Sequence, residues 1–119
     1  MISTDTMRDI IDRLRDSFHP EKIILFGSYA KDVATEESDV DLLIVADTDL
    51  SVKERFPAVS RLLGDFPAAF DVIVKTPEEY ERTKSVVNHI VYFADKYGKV
   101  VYERGNTRSS ASVDEEGGE

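Results

Sequence analysis

The most informative part of the sequence consists of two short stretches, Gly27-Ser28 and Asp39-Val40-Asp41, separated by ten residues. Side chains two positions apart on a strand point to the same face, so we expect Asp39 and Asp41 to project together. Two carboxylates on one face of an otherwise apolar strand repel each other and lose solvation. A divalent cation removes both costs, and magnesium prefers such oxygen ligands. An isolated Asp-x-Asp pair is more often two solvated charges, so its combination with the glycine turn is what indicates a site.

The glycine turn supplies the second half of the predicted site. Lys22–Phe26 is an apolar run that ends at Gly27 and is typical of a buried strand. A glycine there lets the backbone turn tightly and approach a ligand closely. A short helix that starts at this point directs free N–H groups at an anion. The Ser28 hydroxyl adds a hydrogen-bond donor, and Lys31 adds a charge that helps to neutralise a triphosphate.

A third acid lies on another predicted strand. Asp71 is the only charged residue in the stretch Phe70–Val74. If this strand lies beside the strand that contains Asp41, Asp71 joins the first two carboxylates. Three converging carboxylates are what a two-metal phosphoryl-transfer site requires. The sequence therefore predicts that Asp39, Asp41 and Asp71 are both metal ligands and catalytic residues.

The spacing of apolar residues and the positions of capping residues, glycine and proline predict the remaining helices and strands. The predicted strands span residues 22–26, 40–45, 69–74 and 99–102, and the predicted helices span 7–18, 52–65 and a long stretch from 76 to 97. Ser51 with Glu54 fits a capping box, but Pro57 leaves two alternatives: the helix starts near the proline or is kinked there. The apolar side of this helix is expected to contain Phe56, Val59, Leu62 and Leu63.

Thr76 and Pro77 are expected to begin the last helix, which would contain His89. Its apolar positions are Val87, Ile90, Val91, Ala94 and Tyr97, and Gly98 is expected to end it in the left-handed conformation. Residues 1–104 are predicted to be one domain. Residues 105–119 contain almost no apolar side chain and are predicted to be a disordered acidic tail.

Composition narrows the classes of function. The chain has 119 residues, no cysteine and a formal net charge of −9, so disulfides are excluded and a grip on long nucleic acid is disfavoured. The N-terminal residues do not form a signal peptide, and no apolar run is long enough to span a bilayer. We therefore expect a cytoplasmic protein with no membrane and no direct nucleic-acid partner, either alone or as a homo- or hetero-oligomer.

The two stretches, extended to residues 27–31 and 38–42, resemble the nucleotidyltransferase fold of the DNA polymerase beta superfamily. They are most similar to the minimal nucleotidyltransferase (MNT) domains, and the resemblance covers residues 7–104. It implies an α/β fold of the α+β kind, with a mixed sheet of about four strands flanked by helices. It also implies two Mg²⁺ ions and ATP as substrate. Asp39, Asp41 and Asp71 match the metal-binding and catalytic acids.

The resemblance also implies binding positions and a partner. Gly27, Ser28, Lys31 and Ser38 fall in the motif that holds the nucleotide, whereas Asp32 stands where the family often has glycine. An acid so near the phosphates would weaken nucleotide binding. MNT domains resemble antitoxins that pair with a HEPN-domain ribonuclease toxin, which is usually encoded by the adjacent gene. Some transfer AMP from ATP to a toxin tyrosine, and others act mainly by binding.

Three functions are therefore open at the level of sequence. The first is transfer of AMP from ATP to a hydroxyl of a partner protein, with Mg²⁺ as cofactor and a HEPN toxin as acceptor. The second is a non-catalytic antitoxin that neutralises the toxin by binding, for which Asp32 and the small size of the chain argue. The third, transfer to a small molecule such as an aminoglycoside, needs a further helical domain that another chain would have to supply.

Overall fold

The strands of the protein form one mixed sheet. A computed structural model describes residues 2–87 and 89–105 of the chain. In this part, the strands are β1 (Lys22–Phe26), β2 (Val40–Val45), β3 (Phe70–Lys75) and β4 (Lys99–Glu103). The helices are α1 (Thr4–Phe18), α2 (Gly27–Ala30), α3 (Val52–Leu63), α4 (Pro77–Thr83) and α5 (Ile90–Tyr97).

The order of the strands brings the predicted acids to one edge of the sheet. The order is β3-β2-β1-β4, with β2 and β3 parallel and the other two pairs antiparallel. Because β1 runs against its neighbours, its carboxyl end lies beside the starts of β2 and β3. The predicted α/β fold with a mixed sheet and flanking helices is confirmed, and β3 does lie beside β2. We call this end of the sheet the acid edge.

Alternating side chains give each face of the sheet its own core. One face packs against α1 and α3 through Ile10, Leu14, Val59 and Leu63, all at most 1% exposed. The opposite face, the α5 face, is covered by Tyr80, Val91 and Ala94. Leu43 and Val45 of β2 belong to the α5 face, whereas Val40, Leu42 and Ile44 belong to the other face. Because Asp41 has the parity of Leu43, its side chain lies on the α5 face.

Capping residues begin α3 and α4 as predicted. The backbone N–H of Ser51 donates to the Glu54 carboxylate at 3.0 Å, and α3 continues through Pro57. Of the two alternatives, a start near Pro57 is wrong, because the helix begins at Val52. The N–H of Thr76 donates to Glu79 at 2.8 Å, while Glu79 N–H donates to the Thr76 hydroxyl at 3.2 Å. Both capping boxes are therefore formed.

The predicted apolar side of α3 is wrong at one position. Phe56 is 48% exposed, whereas Arg55 beside it is only 7% exposed. The Arg55 guanidinium donates to the backbone carbonyls of Leu50 and Val74 and to the carboxylate of Glu79. A buried guanidinium is tolerated when its donors find acceptors, and the acceptors here come from three separate segments.

The single long helix predicted from residue 76 to 97 is also wrong, because the structure divides it into α4 and α5. The two helices are separated by turns, with Val86 N–H bonded to Thr83 O and His89 N–H bonded to Val86 O. His89 therefore does not lie within a helix. Its backbone is extended, and its Nδ1 accepts a hydrogen bond of 3.1 Å from Val91 N–H, so it caps the start of α5.

Gly98 ends α5 in a way that the sequence did not predict. Its backbone is extended, at φ −84° and ψ 175°, rather than left-handed. A Cβ at this position would lie 2.5 Å from Ala94 O, 2.6 Å from Ile24 Cγ2 and 2.9 Å from Leu25 O. Glycine is needed here because the backbone turns against β1, and no side chain fits in that space.

Two further predictions concern the limit of the domain and the absence of a membrane-spanning segment. The last strand ends at Glu103, and Met1, Asn88 and residues 106–119, hence nearly all of the predicted tail, lie outside the described residues. The domain limit at residue 104 stays a prediction. None of the helices in residues 2–87 and 89–105 combines the length and the apolar character that crossing a bilayer requires.

Candidate active site

Strand register juxtaposes two of the predicted acids. Asp41 and Asp71 are direct partners in the parallel ladder between β2 and β3, and Phe26 is the partner of Asp41 on the other side. Partner residues on neighbouring strands are about 4.8 Å apart and project from the same face. Both carboxylates therefore belong to the α5 face at the acid edge. Asp39 is exposed and immediately precedes β2.

Gly27 and Asp41 are in close contact. Gly27 follows Phe26, the partner of Asp41, and has a φ of +72°. A Cβ built on Gly27 would lie 2.0 Å from Oδ2 of Asp41 and 3.0 Å from its Cγ. Glycine is thus required twice here, once by the left-handed backbone and once by the carboxylate that occupies the space of a side chain. The turn and the acid pair are one structural unit.

The electrostatics of the acid edge are those of crowded like charges. The pKa of Asp41 is raised, first by burial and then by the negative charges of Asp71 and Asp39. Asp71 and Asp39 are therefore each close enough to Asp41 to act on its carboxylate. None of them has an ion pair or a hydrogen bond to another residue in the described part of the chain. Such an arrangement is stabilised by a cation.

The donor set fits a hard divalent cation such as magnesium. Carboxylate oxygens from Asp39, Asp41 and Asp71 are the ligands that Mg²⁺ takes, and it completes its octahedron with water and phosphate oxygens. Within residues 2–87 and 89–105, no group of three His, Cys, Asp or Glu side chains is already drawn together in a metal-holding arrangement. The common cation site of the three acids stays a prediction.

The predicted nucleotide-binding residues surround the same turn. Ser28 is the second residue of α2, and its hydroxyl makes no hydrogen bond to another described residue. Lys31 is exposed just after α2, and its backbone N–H donates to Ser28 O at 3.2 Å. Ser28 and Lys31 are therefore available to a ligand, and their roles in binding nucleotide stay predictions.

Ser38 has a structural partner of its own. Its hydroxyl accepts a hydrogen bond of 2.9 Å from Thr35 N–H, and its own N–H donates to Thr35 O at 3.1 Å. These bonds close a turn directly before Asp39. Ser38 thus orders the loop that leads to the acids, and a direct contact with nucleotide stays a prediction.

Asp32 shows why glycine suits its position. It has a φ of +58°, in the left-handed region that glycine adopts without strain. Aspartate is one of the few other residues that tolerate this conformation, because its short polar side chain bonds locally. The substitution at this position is therefore compatible with the backbone, and its exposed carboxylate adds negative charge beside α2.

Sequence reasoning missed a residue that anchors α2. The hydroxyl of Tyr29 accepts a hydrogen bond of 3.2 Å from Ile2 N–H, and both side chains pack against the core on the α1/α3 face. The N-terminal segment is thereby joined to the turn that contains Ser28. Tyr29 lies inside the quoted motif, but only the fold shows that its partner is 27 residues away.

Lys75 does not belong to the site. It pairs with Val45 at the far end of β3, four positions from Asp71, which corresponds to about 13 Å along the strand. A contact between this lysine and phosphate at the acid edge is therefore disfavoured.

Comparison with known proteins agrees with this geometry. Residues 7–93 match the family described as the nucleotidyltransferase domain. The chain therefore belongs to this family and is a nucleotidyltransferase, and its architecture is that of an MNT-type domain.

Two relatives have more specific names. Two Methanocaldococcus jannaschii proteins, both named as protein adenylyltransferases, are 33% identical to it. The first aligns over 64% of this chain and 76% of its own length, and the second over 64% and 73%.

Solved structures share the fold. A nucleotidyltransferase from Sulfolobus solfataricus has a TM-score of 0.58 at 24% identity, covering 84% of this chain and 79% of that one. A toxin–antitoxin crystallised with AMP-PNP has a TM-score of 0.63 at 24% identity, covering 84% and 75%. The toxin–antitoxin MntA–HpeT has a TM-score of 0.62 at 23% identity, covering 90% and 77%. At these identities the likeness concerns the fold.

Proposed function

We propose that this protein transfers AMP from ATP to a hydroxyl of a partner protein and that it acts in this way as an antitoxin. The observation that carries the proposal is the direct pairing of Asp41 with Asp71 beside Gly27, at one edge of the sheet. Its two relatives named as protein adenylyltransferases support AMP as the transferred group and protein as the acceptor.

In this proposal each acid has a role. Asp39 and Asp41 would hold magnesium, and Asp71 would serve as a ligand of a second ion. When bound, the metal supplies Lewis-acid stabilisation of the charge on the transferring phosphate and on the leaving pyrophosphate. Asp41 is the acid most in need of a cation, because it is the most buried of the three and borders both of the others.

The turn after β1 holds the triphosphate. The N–H groups at the start of α2 and the hydroxyl of Ser28 donate hydrogen bonds to phosphate oxygens. Gly27 keeps this surface free of a side chain, so the phosphates approach the backbone beside the Asp41 carboxylate. Lys31 contributes positive charge at the end of the same short helix.

The acceptor hydroxyl is oriented by Asp71. The oxygen of the acceptor hydroxyl forms a bond to the α-phosphorus of ATP, while the bond from that phosphorus to pyrophosphate breaks. We assign the hydroxyl proton to the Asp71 carboxylate. Asp71 is the more exposed member of the pair, so it is open to an incoming protein. General base catalysis of this kind contributes about 10²- to 10⁴-fold to the rate.

The partner is proposed to be a HEPN-domain toxin encoded next to this chain. The support consists of the motif resemblance and of the two toxin–antitoxin structures that share the fold. The direct test is to incubate the purified neighbouring protein with this chain, Mg²⁺ and ATP labelled at the α-phosphate. We expect label on the partner and a gain in its mass of one or more AMP units.

Matched variants separate catalysis from binding. Asp39→Asn is expected to abolish labelling, whereas Asp47→Asn, an exposed acid just beyond β2, is expected to leave it unchanged. Labelling that survives Asp39→Asn would refute the proposed chemistry. If that variant still protects cells from the toxin, the protein neutralises its partner by binding, which is the second candidate and is favoured by the charge of Asp32 beside α2.

A further inference from the structure

Exposed hydrophobic side chains are concentrated in one segment of the described chain. Six of the nine large hydrophobic side chains that are exposed in the described residues belong to the turn before α5, to α5 and to the start of β4, and they are Val86, Val87, Ile90, Phe93, Tyr97 and Val100; the other three are Val33, Val52 and Phe56. Phe93 and Tyr97 are 42% and 58% exposed, and their rings stack with centroids 6.3 Å apart. We call this set of six the α5 stripe. A group of exposed apolar side chains in one segment is a candidate interaction site.

The spacing within α5 defines how such a surface is recognised. Ile90, Phe93 and Tyr97 stand at positions i, i+3 and i+7, on an exposed side of the helix next to the side that buries Val91 and Ala94. Three anchors with this spacing are the pattern of a helix that lies in the apolar groove of another protein. Aromatic residues are also the residue type that dominates the energy of protein interfaces.

The charges beside the stripe define the rim of the groove. Lys96 and Lys99 are exposed next to it, and neither forms an ion pair within the described ranges. The nearby carboxylate of Asp95 is directed to α4 instead, where it accepts a hydrogen bond from the Tyr80 hydroxyl. A chain with a net charge of −9 therefore presents a locally basic, aromatic surface, which complements an acidic rim.

The same charges disfavour two other occupants. A second copy that packs stripe against stripe would bring Lys96 and Lys99 of both copies together. A long nucleic acid would meet the strongly negative remainder of the chain. A different protein with carboxylates around an apolar groove meets neither obstacle.

The position of the stripe connects it with catalysis. α5 covers the face of the sheet from which Asp41 and Asp71 project. It ends at Gly98, where a Cβ would lie 2.9 Å from the carbonyl oxygen of Leu25. Leu25 is two residues before Gly27, about 7 Å along the strand. A protein seated on α5 is thus held close to the acid edge.

We infer that the α5 stripe is the docking surface for the acceptor protein, whose groove is apolar and rimmed with carboxylates. The inference rests on the proposed function, because it assigns the surface through which that acceptor reaches the site. It predicts that the stripe governs the affinity for the acceptor and leaves the binding of ATP unchanged.

The test uses the full chain and, as probe, the purified product of the neighbouring gene. The doubly substituted Phe93→Ser/Tyr97→Ser chain is expected to bind this protein at least about tenfold more weakly. The KM for the protein in AMP transfer should rise in parallel, while the affinity for an ATP analogue stays at the wild-type value. Phe56→Ser, which removes a 48% exposed phenylalanine from the opposite side of the molecule, is the matched control.

A charge arm tests the acidic rim. Lys96→Glu/Lys99→Glu should weaken binding and reverse the sign of its dependence on salt, whereas Lys53→Glu on α3 should do neither. The inference is overturned if the wild-type chain does not bind the protein or if the Phe93/Tyr97 variant binds as tightly as wild type. It is also overturned if sedimentation shows that the stripe joins two copies of this chain, or if the substitutions abolish only binding to single-stranded RNA.

The two proposals fail separately. If the stripe variants lose the partner but wild type transfers no AMP, the docking surface stands and the proposed chemistry falls. If wild type transfers AMP and the stripe variants do so with an unchanged KM, the chemistry stands and the docking surface falls.

Discussion

Two groups of charged residues in this protein have opposite arrangements. At the acid edge, Asp39, Asp41 and Asp71 crowd together without a cationic partner among the described residues, and burial and mutual repulsion raise the pKa of Asp41. Between α3 and α4, Arg55 donates to Glu79 at 2.7 Å, and this pairing lowers the pKa of Glu79 to about 2. The second group satisfies itself, whereas the first needs something that the chain does not supply.

The contrast separates stability from function. The Arg55–Glu79 pair joins α3, β3 and α4, so its removal should affect folding. The acids of the first group cost free energy as they stand, so their removal should affect catalysis and leave folding intact. Stability and function trade off in this way where like charges are held ready for a ligand.

The largest effect is expected for Asp41→Asn. Loss of this carboxylate should reduce AMP transfer by about a thousandfold, which corresponds to about 4 kcal/mol of transition-state stabilisation. The free energy of unfolding should stay the same or rise, because one member of a repelling set is gone. Labelling with α-labelled ATP and thermal unfolding measure the two quantities, and a variant that is both inactive and unfolded would erase the contrast.

Removing Arg55 should have the opposite profile. Arg55→Met leaves the Glu79 carboxylate half-buried without its cation, and should lower the free energy of unfolding by about 3 kcal/mol. The protein that remains folded should bind ATP like wild type. Urea unfolding checks the first statement and calorimetric titration the second. Arg61→Met, which changes an exposed arginine of the same helix, is the control.

Substitution of Gly27 should affect both stability and activity, because this residue is needed for the turn and for the space that the Asp41 carboxylate occupies. Gly27→Ala should cost about 2 kcal/mol of stability, from the left-handed backbone and the clash with the carboxylate, and should also depress activity. Gly105→Ala is a matched control, since Gly105 has a φ of +82° and a Cβ there meets nothing within 4 Å. An equal loss from both substitutions would show that the contact with Asp41 is unimportant.

The smallest effect concerns acid stability. Because the folded pKa of Glu79 is about 2 and its ordinary value is 4.5, its ionised form stabilises the fold above pH 4.5, and this contribution is lost as pH falls toward 2. At pH 3 the loss should be about 1 kcal/mol after solvent screening. Denaturant unfolding between pH 5 and pH 3 should show a shallower decline for Glu79→Gln. Asp41 contributes with the other sign, since stability falls as pH rises through its raised pKa.

The sequence predicted local features of this structure well and long-range ones poorly. Caps at Ser51 and Thr76 and the apolar runs of the strands are local signals, and the structure confirms them. Burial of Arg55 depends on Glu79, 24 residues away, so the neighbouring Phe56 was wrongly expected in the core. The need for glycine at position 98 likewise comes from its contact with β1 and not from a left-handed helix end.

The candidate site shows the same division. The motif itself indicated Gly27 and the pair of aspartates, because a glycine turn and an Asp-x-Asp pair are each formed by residues that are neighbours in the sequence. Its assembly required the third acid to lie on a neighbouring strand, which only the register between β2 and β3 establishes. The close contact of Gly27 with Asp41 had no signal in the sequence, because it depends on side-chain direction across two strands.

The proposed function depends on three carboxylates, distant in sequence, that share one cation site facing the turn after β1. A crystal structure with Mn²⁺ and a non-hydrolysable ATP analogue tests it most directly, since anomalous scattering locates the metal. We predict a metal within about 2.0–2.2 Å of oxygens from Asp39 and Asp41, with Asp71 directed to the same place and phosphate over Gly27. A metal held by phosphates alone, with the side chain of Asp71 turned away, would contradict it.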